Sequence, residues 1–133
     1  MNQASCFNAM CRSRAILNHV TGRWGGLVLG ALGAGTRRYS ELRRQIDGIS
    51  EKMLAQTLRD LERDGLVTRR QYPTVPPRVD YTLTPAGAEV AARLVSLMSW
   101  IEANVAVVQA ANERHDGARG DEALLAPHEG ALA

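Results

Sequence analysis

Residues 50–84 constrain the fold of this chain more than any other stretch. Ser50 is a strong helix N-cap. Behind it Met53, Leu54, Leu58 and Leu61 recur at the three- and four-residue spacing of one apolar helix face. Lys52, Ala55, Gln56, Arg59 and Arg63 fall on or toward the open side, and Gly65 stops the helix. Two β-favouring runs follow at once, 66–72 and 78–84, the second with Val79, Tyr81 and Leu83 in alternation. Between them Pro73, Pro76 and Pro77 forbid continued pairing and make a stiff hairpin tip.

The flanking segments complete a simple order. Residues 12–20 read as a short helix with Ala15, Ile16, His19 and Val20 on one side, interrupted by Gly22. The next run, 23–35, carries Trp24, Leu27, Val28, Ala31 and Leu32 at helical spacing. Its glycines at 25, 26 and 30 each cost up to about 1 kcal/mol relative to alanine; close packing against a neighbouring helix explains keeping them. Arg37-Arg38-Tyr39 is expected to be an extended link. Ser40 is expected to cap a two-turn helix with Leu42 and Ile46 inward, and Asp47-Gly48 forms a tight turn. Thr84-Pro85 opens a long helix, about 86–113. The acidic, Ala- and Gly-rich residues 114–133 are expected to be disordered, and residues 1–10 to form a flexible arm. Residues 11–113 then constitute the folded domain.

Helix, helix, turn, helix, hairpin, helix is the order of a winged helix-turn-helix domain, mainly α with a small β-hairpin (α+β). In such a domain the second helix of the pair offers its open face to a DNA major groove about 12 Å wide. Here Ser50, Lys52 and Gln56 are the residues able to reach base edges, with Arg59 further along the same helix. Gln suits adenine and Lys guanine, while Glu51 either accepts from cytosine or favours the helix N-terminus. Arg37, Arg38, Ser40, Arg43 and Arg44 lie on or ahead of the first helix of the pair, where phosphate contacts set register. Arg69, Arg70 and Arg78 lie on the hairpin, Arg78 beside its tip and aimed at the minor groove or its phosphates.

Charge adds modest support. Fourteen basic against eight acidic residues give residues 1–100 a net +6, whereas two basic against six acidic give residues 101–133 a net −4. The basic body suits a polyanion. Arginine supplies 15 of the 16 basic residues, so part of this charge is ordinary solvated surface. With aromatics at 5%, aliphatic side chains must fill the core. No uninterrupted run approaches the roughly 20 apolar residues that span a bilayer, and the opening MNQASCFNAMCRSR lacks the pattern of a signal peptide. A cytoplasmic protein without a membrane partner is expected. His19, His115 and His128 are scattered, Cys6 and Cys11 lack a metal-ligand spacing, and no phosphate loop, nucleophile elbow or HExxH is present. Neither a metal, a cofactor nor an enzyme is expected.

Along the long helix Val90, Leu94, Leu97, Met98, Ile101, Val105 and Val108 form an apolar stripe about seven turns long. A small wing domain has little surface to cover it. Leu94, Leu97, Met98, Ile101, Val105 and Val108 are therefore the expected homodimer interface, with a roughly palindromic operator to match.

Residues 49–67, ISEKMLAQTLRDLERDGLV, and 72–84, YPTVPPRVDYTLT, resemble the HxlR family of winged helix-turn-helix regulators. Arg23-Trp24, Arg38-Tyr39-Ser-Glu-Leu42 and Cys11 also fall where that family has counterparts, so the resemblance covers about residues 11–102. It implies a dimeric DNA-binding protein whose N- and C-terminal helices build the interface. It also makes Cys11 the candidate receiver of an oxidant or electrophile, since some such regulators sense through a thiol at this position. Arg12 and Arg14 could favour its thiolate. An inert Cys11, or a small-molecule effector held near Trp24 or Trp100, are the alternatives. Two departures stand out: Arg12 replaces the proline usual after the cysteine, and Gly25-Gly26 follow Arg23-Trp24 rather than precede it. A winged-helix protein-interaction module without DNA binding is the competing reading.

Overall fold

The computed structural model describes residues 3–125, with side-chain surroundings given through residue 120. The elements run α1 (Arg12–Thr21), α2 (Gly25–Leu32), β1 (Arg37–Arg38), α3 (Tyr39–Gln45), α4 (Glu51–Arg63), β2 (Val67–Tyr72), β3 (Arg78–Leu83) and α5 (Pro85–Leu125). The chain divides into two units between Ser96 and Leu97.

In the first unit, Val28, Leu29 and Leu32 of α2 meet Leu42 of α3, Leu54, Leu58 and Leu61 of α4 and Val67 of β2 in one aliphatic core. Burying each such side chain contributes about 1.5–3 kcal/mol. The stripe that α4 buries is Leu54, Thr57, Leu58 and Leu61, so three of the four expected residues are inside and Thr57 stands in for Met53. Met53 is consequently left 41% exposed. A comparable exchange occurs in α2, where Val28, Ala31 and Leu32 are buried as expected and Leu29 is buried with them, while Leu27 is 43% exposed.

The sheet has three strands, not two. The expected link 37–38 is an edge strand, and the antiparallel order is β1-β3-β2. Arg37 stands opposite Tyr81 and Arg38 opposite Asp80 on one side of β3; Arg69 opposite Tyr81 and Arg70 opposite Asp80 on the other. This pairing moves the start of α3 forward. Arg38 is the N-cap, its backbone N–H donating to Glu41 Oε1 at 2.9 Å, so Ser40 lies inside the first turn instead of capping it. Ser50 does cap α4, accepting from the Met53 N–H at 3.1 Å, and Thr84 accepts from the Gly87 N–H at 3.0 Å.

Residues 5–10 are drawn back by turns, and Arg14 donates to the carbonyls of Cys6 at 2.6 Å and Phe7 at 3.0 Å. The helix expected to end near residue 113 continues to Leu125, because residues 114–125 contain no proline and only isolated glycines at 117 and 120. The rest of the expected disordered tail, 126–133, lies outside the described residues. As a continuous helix, Pro85–Gly120 is long and apolar enough to cross a bilayer by length and composition alone. Counting uninterrupted apolar runs missed this, since Glu89, Arg93 and Glu102 break the run without breaking the helix.

The glycines of α2 serve close packing. A Cβ on Gly25 would lie 1.8 Å from the His19 carbonyl oxygen, and one on Gly26 3.0 Å from that of Val20. Backbone meets backbone there, so no side chain can yield. Gly25→Ala is expected to destabilise the fold by at least about 1–3 kcal/mol in urea titration. Gly117→Ala, with open space around its Cβ, should instead be neutral or stabilise the helix by up to about 1 kcal/mol.

Candidate nucleic-acid interface

The buried stripe of α4 decides which residues face outward. Ser50, Lys52, Gln56, Arg59 and Arg63 are all exposed, and from Lys52 onward they follow one another at three- and four-residue steps along one face. The start of α4 is fixed from α3: Tyr39 Oη donates to the Glu51 carbonyl at 2.9 Å, and Arg43 Nη1 lies 3.1 Å from Glu51 Oε1. Burial of the Tyr39 ring, then the nearby Glu51 charge, raises its phenol above the ordinary value. Glu51, left open between two roles by sequence, is thus paired with Arg43. The Gln56 amide is engaged at both ends, Nε2 donating to Asp60 Oδ1 at 3.0 Å and Oε1 accepting from Arg59 at 3.1 Å. Arg44 is exposed on α3.

The strands divide the remaining arginines. Side chains opposite one another in an antiparallel pair share a face, and alternate residues share it along a strand. Arg37 and Arg69 therefore lie on the face of Val79 and Tyr81, Arg69 sharing a cleft with Tyr39, Arg59 and Glu62. Arg38, Arg70, Tyr72, Arg78 and Asp80 lie on the other. There Arg78 is held by Asp80 through two hydrogen bonds of 2.9 Å. The guanidinium groups of Arg70 and Arg78 stand 4.6 and 5.1 Å from the centre of the Tyr72 ring. The hydrogen bonds from Arg78 outweigh burial and hold the Asp80 carboxyl below its usual range; the same pairing raises Arg78. Arg69, Arg70 and Arg78 all lie on the hairpin, and the sheet turns Arg69 to the opposite face from Arg70 and Arg78. Sequence reading passed over Asp80 and Tyr72, although the two-residue step from Arg78 to Asp80 was a usable signal.

Other candidates occupy distinct places. A groove of about 580 Å³ beside α4 is lined by Trp24, Gly48, Met53, Thr57 and Leu61 among others, with Arg23 4.8 Å over the Trp24 ring. On α5, Leu94 is half-buried against the core of its own unit, which takes up surface expected for the dimer. Met98 is half-buried, and Leu97, Ile101, Val105 and Val108 are exposed, as are Trp100 and Val107, which were not in the expected set. Among the described residues no cluster of His, Cys, Asp or Glu could hold a metal ion.

Two paired helices with one face of the second turned outward, followed by a basic hairpin, define a winged helix-turn-helix regulator of transcription that binds DNA. The chain belongs to the HxlR-like helix-turn-helix family, which it matches over residues 19–109. It is 50% identical over 113 residues to an uncharacterized HTH-type transcriptional regulator, YtfH, of Escherichia coli, covering 85% of this chain and 90% of that one. A solved structure assigned as the transcriptional regulator YtfH of Salmonella typhimurium superposes with a TM-score of 0.80 at 50% identity, covering 84% of this chain and 99% of the other. The redox regulator HypR in its oxidized form is similar at 35% identity and a TM-score of 0.64, over 71% of this chain and 97% of the other.

Cys11 is the N-cap of α1. Ser13 Oγ donates to its sulfur at 3.1 Å, and this bond, aided by backbone N–H groups, lowers the thiol from 9.0 to about 7. A lowered value means that the thiolate forms above about pH 7 and is lost as pH falls through it. Peptide-resolved iodoacetamide labelling of Cys11 should therefore rise with pH to a midpoint near 7, and Ser13→Ala should move the midpoint upward. An unmoved midpoint would rule out the Ser13 hydroxyl as the cause.

Proposed function

We propose that this protein is a sequence-specific transcription regulator that binds a roughly palindromic duplex operator as a homodimer and answers to an oxidant or electrophile through Cys11. The outward face of α4 carries the first part. Lys52 reads base edges, and Gln56 does so on exchanging its bonds to Asp60 and Arg59 for a base, with Ser50 and Arg59 at either end. Arg43 and Arg44 on α3, with Arg37, Arg38 and Ser40 ahead of or within its first turn, serve phosphates. On the wing, Arg69 and Arg78 approach from opposite faces of the sheet. Membership in a family of helix-turn-helix transcription regulators supports a cytoplasmic location. Its affinity for duplex DNA should fall linearly in log-log form with salt, with a slope of several units. Gln56→Ala should relax preference at one operator position and cost about 1–3 kcal/mol there. No duplex binding at low salt would leave a protein-interaction module as the better reading.

The exposed apolar side chains of α5 support the homodimer. Leu97, Trp100, Ile101, Val105, Val107 and Val108 are each 42–66% exposed, and a helix with so much apolar surface calls for a partner. A second copy places two α4 helices on one duplex, with half-sites about one helical turn apart. Ile101→Asp combined with Val105→Asp should yield monomers in sedimentation equilibrium and weaken operator binding at least about tenfold, since one half-site is lost. A wild-type chain that is monomeric, and instead partitions into lipid vesicles, would assign the helix to a membrane.

The thiol completes the reading. The lowered Cys11 value supplies the reactive form near neutral pH, and a redox regulator is among the solved structures that the chain resembles. Loss of operator binding on oxidation should vanish in Cys11→Ser.

A further inference from the structure

Asp80 is the one acid on a sheet face that holds Arg38, Arg70 and Arg78. It sits on the central strand, opposite Arg38 of β1 and Arg70 of β2, and its side chain is only 7% exposed. Charge alone would make such a residue a fault in a DNA-binding surface, because a carboxylate near phosphates repels them. Its geometry is different. Both oxygens are taken by one guanidinium, at 2.9 Å each, and the other face of the arrangement is closed by the Tyr72 ring, with Arg70 and Arg78 both against it.

We propose that Asp80 is a positioning residue for DNA binding: it clamps Arg78 against Tyr72, so that the wing presents a fixed guanidinium to the duplex. The proposal rests on the reading that the outward face of α4 and the wing bind DNA. The hairpin tip between Tyr72 and Arg78 carries Val75, which is fully exposed, and a long arginine beside such a tip would sample many rotamers. Held by a bidentate bond and a ring face, it loses that freedom before binding instead of during it. A buried carboxylate is costly when unpaired and is tolerated where a partner of matching geometry meets it. Lysine offers no fork, which is why Arg78 is not interchangeable here. The clamp also withholds Arg78 from deep insertion in the minor groove, the role that its place beside the tip first suggested. The clamped arginine serves flanking phosphates.

The sign of one substitution separates this from simple electrostatics. Asp80→Asn keeps the shape and removes one negative charge from the surface. Electrostatics alone predicts tighter binding to every duplex with an unchanged or steeper salt slope. Positioning predicts about tenfold weaker operator binding by the folded dimer, and a salt slope reduced by about one unit through loss of one ordered phosphate contact. Arg78→Lys, at a side chain already 42% exposed, keeps the charge and tests the same clamp if Asp80→Asn folds poorly. It should weaken operator binding to a similar degree, and the double variant should be no weaker than Arg78→Lys alone. Additive losses, or an Asp80→Asn protein that binds the operator as tightly as wild type, would overturn the clamp. A wild-type protein that binds no duplex would instead overturn the DNA-binding reading on which it rests.

Discussion

The rotational setting of α4 about its own axis is the constraint on which the rest of the molecule depends. A helix advances about 100° per residue, so the choice of which four side chains enter the core fixes the direction of all the others. Leu54, Leu58 and Leu61 are buried with Thr57, and the face carrying Lys52, Gln56, Arg59 and Arg63 turns outward as a consequence. The Ser50 cap and the Tyr39 hydroxyl then fix the near end of the helix, where Tyr39 reaches the Glu51 carbonyl. Any side chain proposed to read a base inherits its position from these apolar contacts, so stability and recognition cannot be varied independently along this helix.

Most of this was legible in the sequence because the signals were local. Ser50, Gly65, the prolines of the tip and Thr84-Pro85 act within a few residues of where they stand, and each marks an element boundary close to where the structure has it. What sequence missed depends on contacts between distant segments. Strand β1 is two residues long and exists only because it pairs with β3; nothing within Arg37-Arg38 demands it. Once paired, it carries the start of α3 forward and turns Ser40 from a cap into a helix residue. Met53 and Leu27 failed for a related reason. Both are large and apolar, so hydrophobicity placed them inside, but packing gave interior positions to Thr57 and Leu29. The end of α5 was placed too early because no residue breaks the helix before Leu125.

The arginines show how far composition can mislead about a binding surface. Their number hinted at a polyanion partner, yet a count carries no information about direction. The sheet sends Arg37 and Arg69 to one face and Arg38, Arg70 and Arg78 to the other, and only the second set meets a buried carboxylate. Net charge treats Asp80 as a subtraction of one. In the fold it holds a guanidinium in a fixed direction, and a single well-aimed donor is worth more to recognition than a mobile one.

The reading of Cys11 as a signal receiver requires a physical route from the thiol to α4, and the fold offers one. Cys11 caps α1, and His19 near the other end of that helix bonds through Nδ1 to Asp64 Oδ2, at the C-cap of α4, over 2.6 Å. At that same end of α1 the carbonyls of His19 and Val20 lie against Gly25 and Gly26 of α2, where backbone meets backbone. A contact of that kind has no side chain to repack, so α1 is less able to absorb a displacement of its cap by local adjustment. Bulk or charge added to the Cys11 sulfur displaces the Ser13 hydroxyl that now donates to it, and any movement of α1 that follows acts on both the His19–Asp64 bond and the α2 contact. The helix proposed to read DNA and the helix that carries the thiol are therefore joined at the end of α4 farthest from Ser50. Under the proposed function, a change there would act on the outward face without touching a residue proposed to contact a base.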